Sequence, residues 1–150
     1  MTIKYSPASL KYLLLFATLL STPAYASDSL ITTDGVVIDY EITGVGAPLL
    51  MLHSGMMSRD DMQLQVDYFS KYYQVIALDS REQGRSSSAS SQITYRLMSN
   101  DVIELLDHLG LEKASIFGQS DGGITALITT FYHPDRISKL MIHGSVYNCD

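Results

Sequence analysis

The chain has 150 residues, 46% of them hydrophobic and 17% charged, with 16 acidic against 10 basic side chains and a formal net charge of −6. This composition fits at most one globular domain and excludes a disordered or collagen-like chain. With no cluster of Lys or Arg to set against phosphates, it also excludes a nucleic-acid surface.

Residues 1–26 read as a secretory signal peptide, with Lys4 and Lys11 ahead of the apolar run Leu13 to Leu20 and Ala24-Tyr25-Ala26 as the cleavage site. The run is too short to span a bilayer. The expectation is an exported product, periplasmic or secreted, that starts at Ser27 and has no membrane span after cleavage. It would be more acidic still, because the two lysines are the only charges removed. Cys149 is the single cysteine, so no disulfide can form within the chain.

Leu30 to Thr33 and Val36 to Ile42 are β-rich stretches around the turn signal Asp34-Gly35, which predicts a hairpin. Leu49 to His53 is continuously apolar after Pro48, as a strand buried on both faces is. Ser58 then precedes a predicted helix from Arg59 to Tyr72, whose first turn carries Asp60 and Asp61 where the helix dipole favours negative charge. Val75 to Leu78 is another buried strand, and "SREQGRSSSASSQ" after Asp79 is a loop by composition. Met98, Val102, Leu105, Leu106 and Leu109 share one face of a helix from Tyr95 to Leu109 that Gly110 ends.

Ala114 to Phe117 is a strand, Gly122 to Tyr132 a helix apolar nearly all round and hence expected to be buried, and Pro134 stops it. Lys139 to His143 is a sixth strand. A hairpin followed by strand–helix units predicts an α/β fold with a mostly parallel sheet. Functional residues are then expected at the carboxyl ends of the strands. His53, Ser54 and Gly55, Asp79 to Ser86, Ser120, and His143, Gly144 and Ser145 fall there.

Gly118-Gln119-Ser120-Asp121-Gly122, between a short apolar strand and a small-residue helix, is the G-x-S-x-G pattern of a nucleophile elbow. A strand that turns sharply into a helix needs small residues on both sides of the turn. It also needs a strained positive-φ backbone at the turn residue. The helix start beyond it directs free N–H groups and partial positive charge at whatever Ser120 attacks. No metal-ligand spacing and no dinucleotide glycine fingerprint is present, so no metal and no cofactor are implied.

Three stretches together resemble the α/β-hydrolase fold superfamily. "LLMLHSG" is similar to its strand and oxyanion turn, "VIALDSREQGRSS" to its D-x-R-G-x-G-x-S loop, and "IFGQSDGG" to its elbow. The resemblance implies an N-terminal antiparallel hairpin on a mostly parallel sheet, with residues 27–150 forming a partial hydrolase domain that stops after about the sixth strand. It implies Ser120 as nucleophile, the Asp121 N–H as one oxyanion donor, and Gly55 or Met56 as the other. It gives His53 the task of fastening the oxyanion turn, and it argues against relatives that attack with a carboxylate.

The expected activity is hydrolysis of an ester, thioester, lactone or amide of a small-molecule substrate, and the sequence identifies no partner chain. The alternative is an inactive remnant or small-molecule binding module of the same fold. The family's catalytic acid and histidine follow later strands. Within this chain His143 is a possible base and Asp150 a possible acid, whereas His108 and His133 belong to helix ends far from Ser120. Ser54 and Glu82 depart from the family pattern by standing where glycine is usual.

Overall fold

Residues 27–88 and 92–145 are described by the computed structural model, so the signal-peptide reading, Cys149 and Asp150 lie outside the described residues. Strands β1 (Ser27–Ile31) and β2 (Val37–Thr43) form the expected hairpin, with Leu30 opposite Ile38. Its turn is closed by the Thr32 hydroxyl, which donates to Asp34 at 2.6 Å and accepts from the Val36 N–H at 2.9 Å, while Gly35 takes φ 84°.

Strands β3 (Ala47–Leu52), β4 (Tyr73–Leu78), β5 (Ala114–Gln119) and β6 (Ile137–His143) complete a six-stranded sheet of order β1-β2-β4-β3-β5-β6. The β1/β2 and β2/β4 pairings are antiparallel and the other three parallel. Leu52 aligns with Gly118, and Gln119 with His143. The carboxyl ends of β3, β5 and β6 therefore finish side by side.

The two-residue strand period sorts the core into two layers. On one face Leu50, Leu52, Ile76, Leu78 and Ile116 pack with Val102, Leu105 and Leu106 of helix α2 (Tyr95–His108) and Ala126 of helix α3 (Asp121–Tyr132). On the other, Leu49, Met51, Val75, Ala77 and Phe117 meet Met62 and Val66, the latter on the short helix α1 (Gln63–Phe69).

Two expectations need correction. The helix expected from Arg59 to Tyr72 is a 3₁₀ turn, Arg59–Met62, followed by α1. The Arg59 N–H is held by the Asp79 carboxylate at 2.7 Å, and its guanidinium turns inward to Asp39 of β2 and to Asp79 just past β4, so carboxylates of the sheet set the geometry of that first turn. At the other end the Tyr72 N–H reaches back to the Phe69 carbonyl at 2.9 Å, a tight turn that ends the helix. Nor is α3 buried all round: Phe131 is 78% and Tyr132 53% exposed, and with Leu127 and Ile128 they leave an apolar surface.

The loop after β4 continues the sheet through side chains. The Ser86 hydroxyl accepts from the Asp39 N–H and donates to the Asp79 carbonyl, and the Ser87 hydroxyl accepts from the Val37 N–H. Asp79, fully buried, also accepts from the Arg85 N–H at 2.9 Å. Arg81, 2% exposed, lies against Asp101 at 2.7 and 2.6 Å and against Asp34.

Hydrogen bonds to Asp101 hold the Arg81 guanidinium firmly protonated. Burial pushes the Asp101 carboxyl up, against the pull of Arg81. These charges pin the loop in place.

Glu82, where the family pattern has glycine, has φ 63°. Left-handed backbone costs an L-residue about 1–2 kcal/mol, partly offset in a glycine by its larger unfolded-state entropy. Glu82→Gly is expected to stabilise the fold by about 0.5–1 kcal/mol, read as a raised urea midpoint at unchanged slope. Ser54, the other departure, is not among the described non-glycine residues with positive φ, and its backbone accommodates a side chain without strain.

Candidate active site

β5 ends at Gln119, and the chain reverses into α3 through Ser120, whose φ of 51° and ψ of −116° lie in a region that L-residues rarely enter. Its surroundings hold it there. The Ser120 N–H donates to the His143 carbonyl at 2.9 Å, and the Ser120 carbonyl accepts from the Gly123 and Ile124 N–H groups at 2.9 and 3.1 Å. The Ser145 hydroxyl donates to that carbonyl as well, at 2.8 Å, which makes four hydrogen bonds on the Ser120 backbone.

The glycines around Ser120 are demanded by close approach. A Cβ on Gly118 would overlap the Gly122 carbonyl, and one on Gly122 would overlap the carbonyl oxygens of Leu52 and His53. The start of α3 therefore lies directly on the end of β3. A Cβ on Gly55 would likewise fall on the Asp121 carboxylate, which places the turn after β3 beside the elbow.

That turn spans Ser54 to Met57, closed by the Met57 N–H donating to the Ser54 carbonyl at 3.3 Å, with Met56 at φ 60°. The amide of Asp121 opens α3 and has no acceptor within the helix. The turn after β3 and the start of α3 thus lie side by side.

His53, 1% exposed, is locked at both ring nitrogens. Nε2 accepts from the Ser80 N–H at 2.9 Å, so the proton is on Nδ1, which donates to the Ser54 carbonyl at 2.7 Å. A ring held this way ties β3 to the loop after β4 and has no free nitrogen to serve as base. His143 lies beside Ser120 through its backbone, with its residue exposed to solvent.

His108 packs edge-on against Tyr40 at 6.2 Å, at the end of α2. His133 lies beyond the far end of α3, about 18 Å from Ser120 at 1.5 Å of rise per residue. Among the described residues no histidine ring is hydrogen-bonded to the Ser120 hydroxyl.

Sequence reasoning missed Tyr95. Its hydroxyl donates to the Asp121 carboxylate at 2.9 Å across 26 residues, and burial, reinforced by Asp121, pushes its pKa up so that the phenol keeps its proton. Tyr95 and Asp121 join Gly55, Met56, Glu82, Gln83 and Met98 around a crevice of about 490 Å³ at the strand ends. The apolar surface on α3 lies at the other end of that helix and has no part in this site.

The arrangement presents an alcohol on a strained turn, the turn after β3 beside the start of α3, and an open crevice with mostly uncharged walls. Among the described residues no cluster of side chains has the makings of a metal site, and no helix is long and apolar enough to cross a membrane.

The profile of the α/β hydrolase fold family matches residues 47–149. A 3-oxoadipate enol-lactonase of Acinetobacter baylyi is 30% identical over 122 residues, which cover 80% of this chain and 46% of that protein. A soluble epoxide hydrolase of Corynebacterium is 30% identical over 109 residues, 73% of this chain and 38% of its own. The solved structure of an esterase from Exiguobacterium antarcticum superposes with a TM-score of 0.76 at 28% identity, over 80% of this chain and 46% of the esterase.

The chain thus spans less than half the length of each of these relatives. Six strands in the order seen here, a hairpin leading a parallel sheet, and the matching profile and relatives together show that this chain belongs to the α/β-hydrolase fold family.

Proposed function

We propose that the chain carries the nucleophile and oxyanion turn of an exported serine hydrolase that cleaves esters, thioesters, lactones or amides of small molecules through an acyl-enzyme on Ser120. The backbone of Ser120 is the observation that carries this reading. A residue kept at φ 51° by four hydrogen bonds, directly before the crevice-lining Asp121, is strain retained where chemistry needs it. The N–H of Asp121 and that of Gly55 or Met56 would receive the negative charge of the tetrahedral intermediate. Preorganised donors of this kind lower the barrier by about 2.7–4 kcal/mol each.

A hydroxyl at position 120 supports acyl transfer over the carboxylate attack that the resemblance assigns to epoxide-opening relatives. Export rests on the signal-like residues 1–26 and on nothing else. A fluorophosphonate probe tests the nucleophile: labelling of the wild-type chain that is lost in Ser120→Ala supports the reading.

A second reading has an observation behind it. The Ser120 hydroxyl has no base beside it among the described residues, as expected of a small-molecule binding module that keeps the crevice and lacks the chemistry. A wild-type chain that never labels, yet binds small esters by calorimetry, would favour it.

Among the described residues, the crevice walls carry the carboxylates of Glu82 and Asp121 and no Lys or Arg. A unit charge a few ångströms from a like charge is disfavoured by about 1–4 kcal/mol between bulk water and a partly buried site. An acetate ester is therefore expected to exceed the hemisuccinate ester of the same phenol by about ten-fold or more in kcat/KM. Equal turnover of the two would contradict the assigned crevice.

A further inference from the structure

Met56 has a conformation and an exposure that the hydrolytic chemistry does not require. Its N–H is one of two alternatives for an oxyanion donor, a task that needs no particular side chain. Yet the position has φ 60° in a turn closed from Met57 to Ser54, where glycine or asparagine is the unstrained choice.

The side chain is wholly exposed and borders the crevice beside Asp121 and Tyr95. The other described methionines differ. Met51, Met62 and Met98 are buried, at 0%, 1% and 6%, whereas Met57 and Met141 are 45% and 53% exposed.

We propose that Met56 is a reversible oxidation site at the mouth of the crevice. A peroxide is the co-reactant: the thioether sulfur takes one oxygen atom from hydrogen peroxide, the O–O bond breaks, and water leaves with the two protons. Sulfur is oxidised to the sulfoxide and the peroxide oxygen is reduced, so atoms and electrons balance.

The product replaces a flexible apolar side chain with a polar, chiral one. Here the new S=O dipole stands at the rim through which substrate passes, close to the Asp121 carboxylate. An acceptor is thereby added to a crevice already lined by the Asp121 carboxylate, and an apolar acyl group meets a polar rim in place of a soft one. Thiol-dependent methionine sulfoxide reduction restores the thioether.

The modification stands on exposure and geometry. Its effect on catalysis rests on the serine-hydrolase reading above, and two separate readouts keep the two apart. The first is peptide mass mapping of the full chain under graded hydrogen peroxide. Met56 is expected to gain one oxygen roughly ten-fold faster than Met51 or Met62, and ahead of Met57. Oxidation of Met56 no faster than the buried methionines overturns the proposal.

The second readout is the rate of Ser120 labelling by a fluorophosphonate. It is expected to fall about five-fold or more on oxidation and to recover with methionine sulfoxide reductase. In Met56→Leu, whatever its starting rate, peroxide is expected to leave the rate unchanged. A wild-type rate that does not respond while Met56 is oxidised overturns the regulatory part. Absence of labelling before any peroxide is added counts against the hydrolase reading, and the mass map still decides the site.

Discussion

Ser120→Ala is expected to abolish fluorophosphonate labelling, and in an enzyme with its acid and histidine in place the same change lowers ester turnover about a million-fold. The fold is expected to survive. The elbow is held through backbone groups, since the Ser120 N–H binds the His143 carbonyl and its own carbonyl takes three donors, and alanine keeps all four bonds. The mutant's stability should stay within about 0.5 kcal/mol of wild type.

Ser120→Gly separates strain from chemistry. It removes the same hydroxyl and also the Cβ that makes φ 51° costly, so it should be equally inert yet more stable than Ser120→Ala by about 1 kcal/mol. Chemical denaturation of the three proteins, with labelling in parallel, checks both. A glycine variant less stable than the alanine one would show the backbone to be relaxed, and the elbow reading would fail with it.

Ser120 was legible in the sequence because its constraints are local. Close approach forces glycine at 118 and 122 within five residues, and that spacing is visible without any knowledge of the fold. The hairpin and the buried strands β3 and β4 were legible for a similar reason, since turn chemistry at Asp34-Gly35 and continuous apolar runs depend on neighbouring positions.

What remained hidden is set by partners far apart in the chain. Arg59 reads as an ordinary first-turn residue, yet it is 5% exposed and faces Asp39 and Asp79, each 20 residues away. Tyr95 joins the site only because α2 packs on α3 and brings it to Asp121. The bare surface of α3 was misread because apolar composition reports what a helix is suited to bury, whereas burial depends on what lies against it. No periodicity in one helix carries that information.

Gly122→Ala is expected to damage the fold severely. Its added Cβ would overlap the main-chain oxygens of Leu52 and His53. Leu52 ends β3 and His53 follows it, and β3 is paired on both sides and buried, so neither the strand nor the helix can yield without breaking the β3/β5 register that aligns Leu52 with Gly118. Relief requires α3 to lift away from the sheet, which exposes Ala126 and the layer around Leu52 and Ile116.

Overpacking of this kind costs about 1–3 kcal/mol where side chains can shift, and more where only backbone faces backbone. Against a total of about 5–15 kcal/mol, the variant should lose most of its cooperative unfolding transition. Gly110→Ala is the matched control: it sits at φ 66° after α2 with no atom near its missing Cβ, so it carries only the conformational cost of about 1–2 kcal/mol. Circular dichroism on heating should show a lowered but sharp transition for Gly110→Ala and a broad or absent one for Gly122→Ala. If the two variants melt alike, α3 does not press on β3, and the turn that presents Ser120 is looser than the contact between them requires.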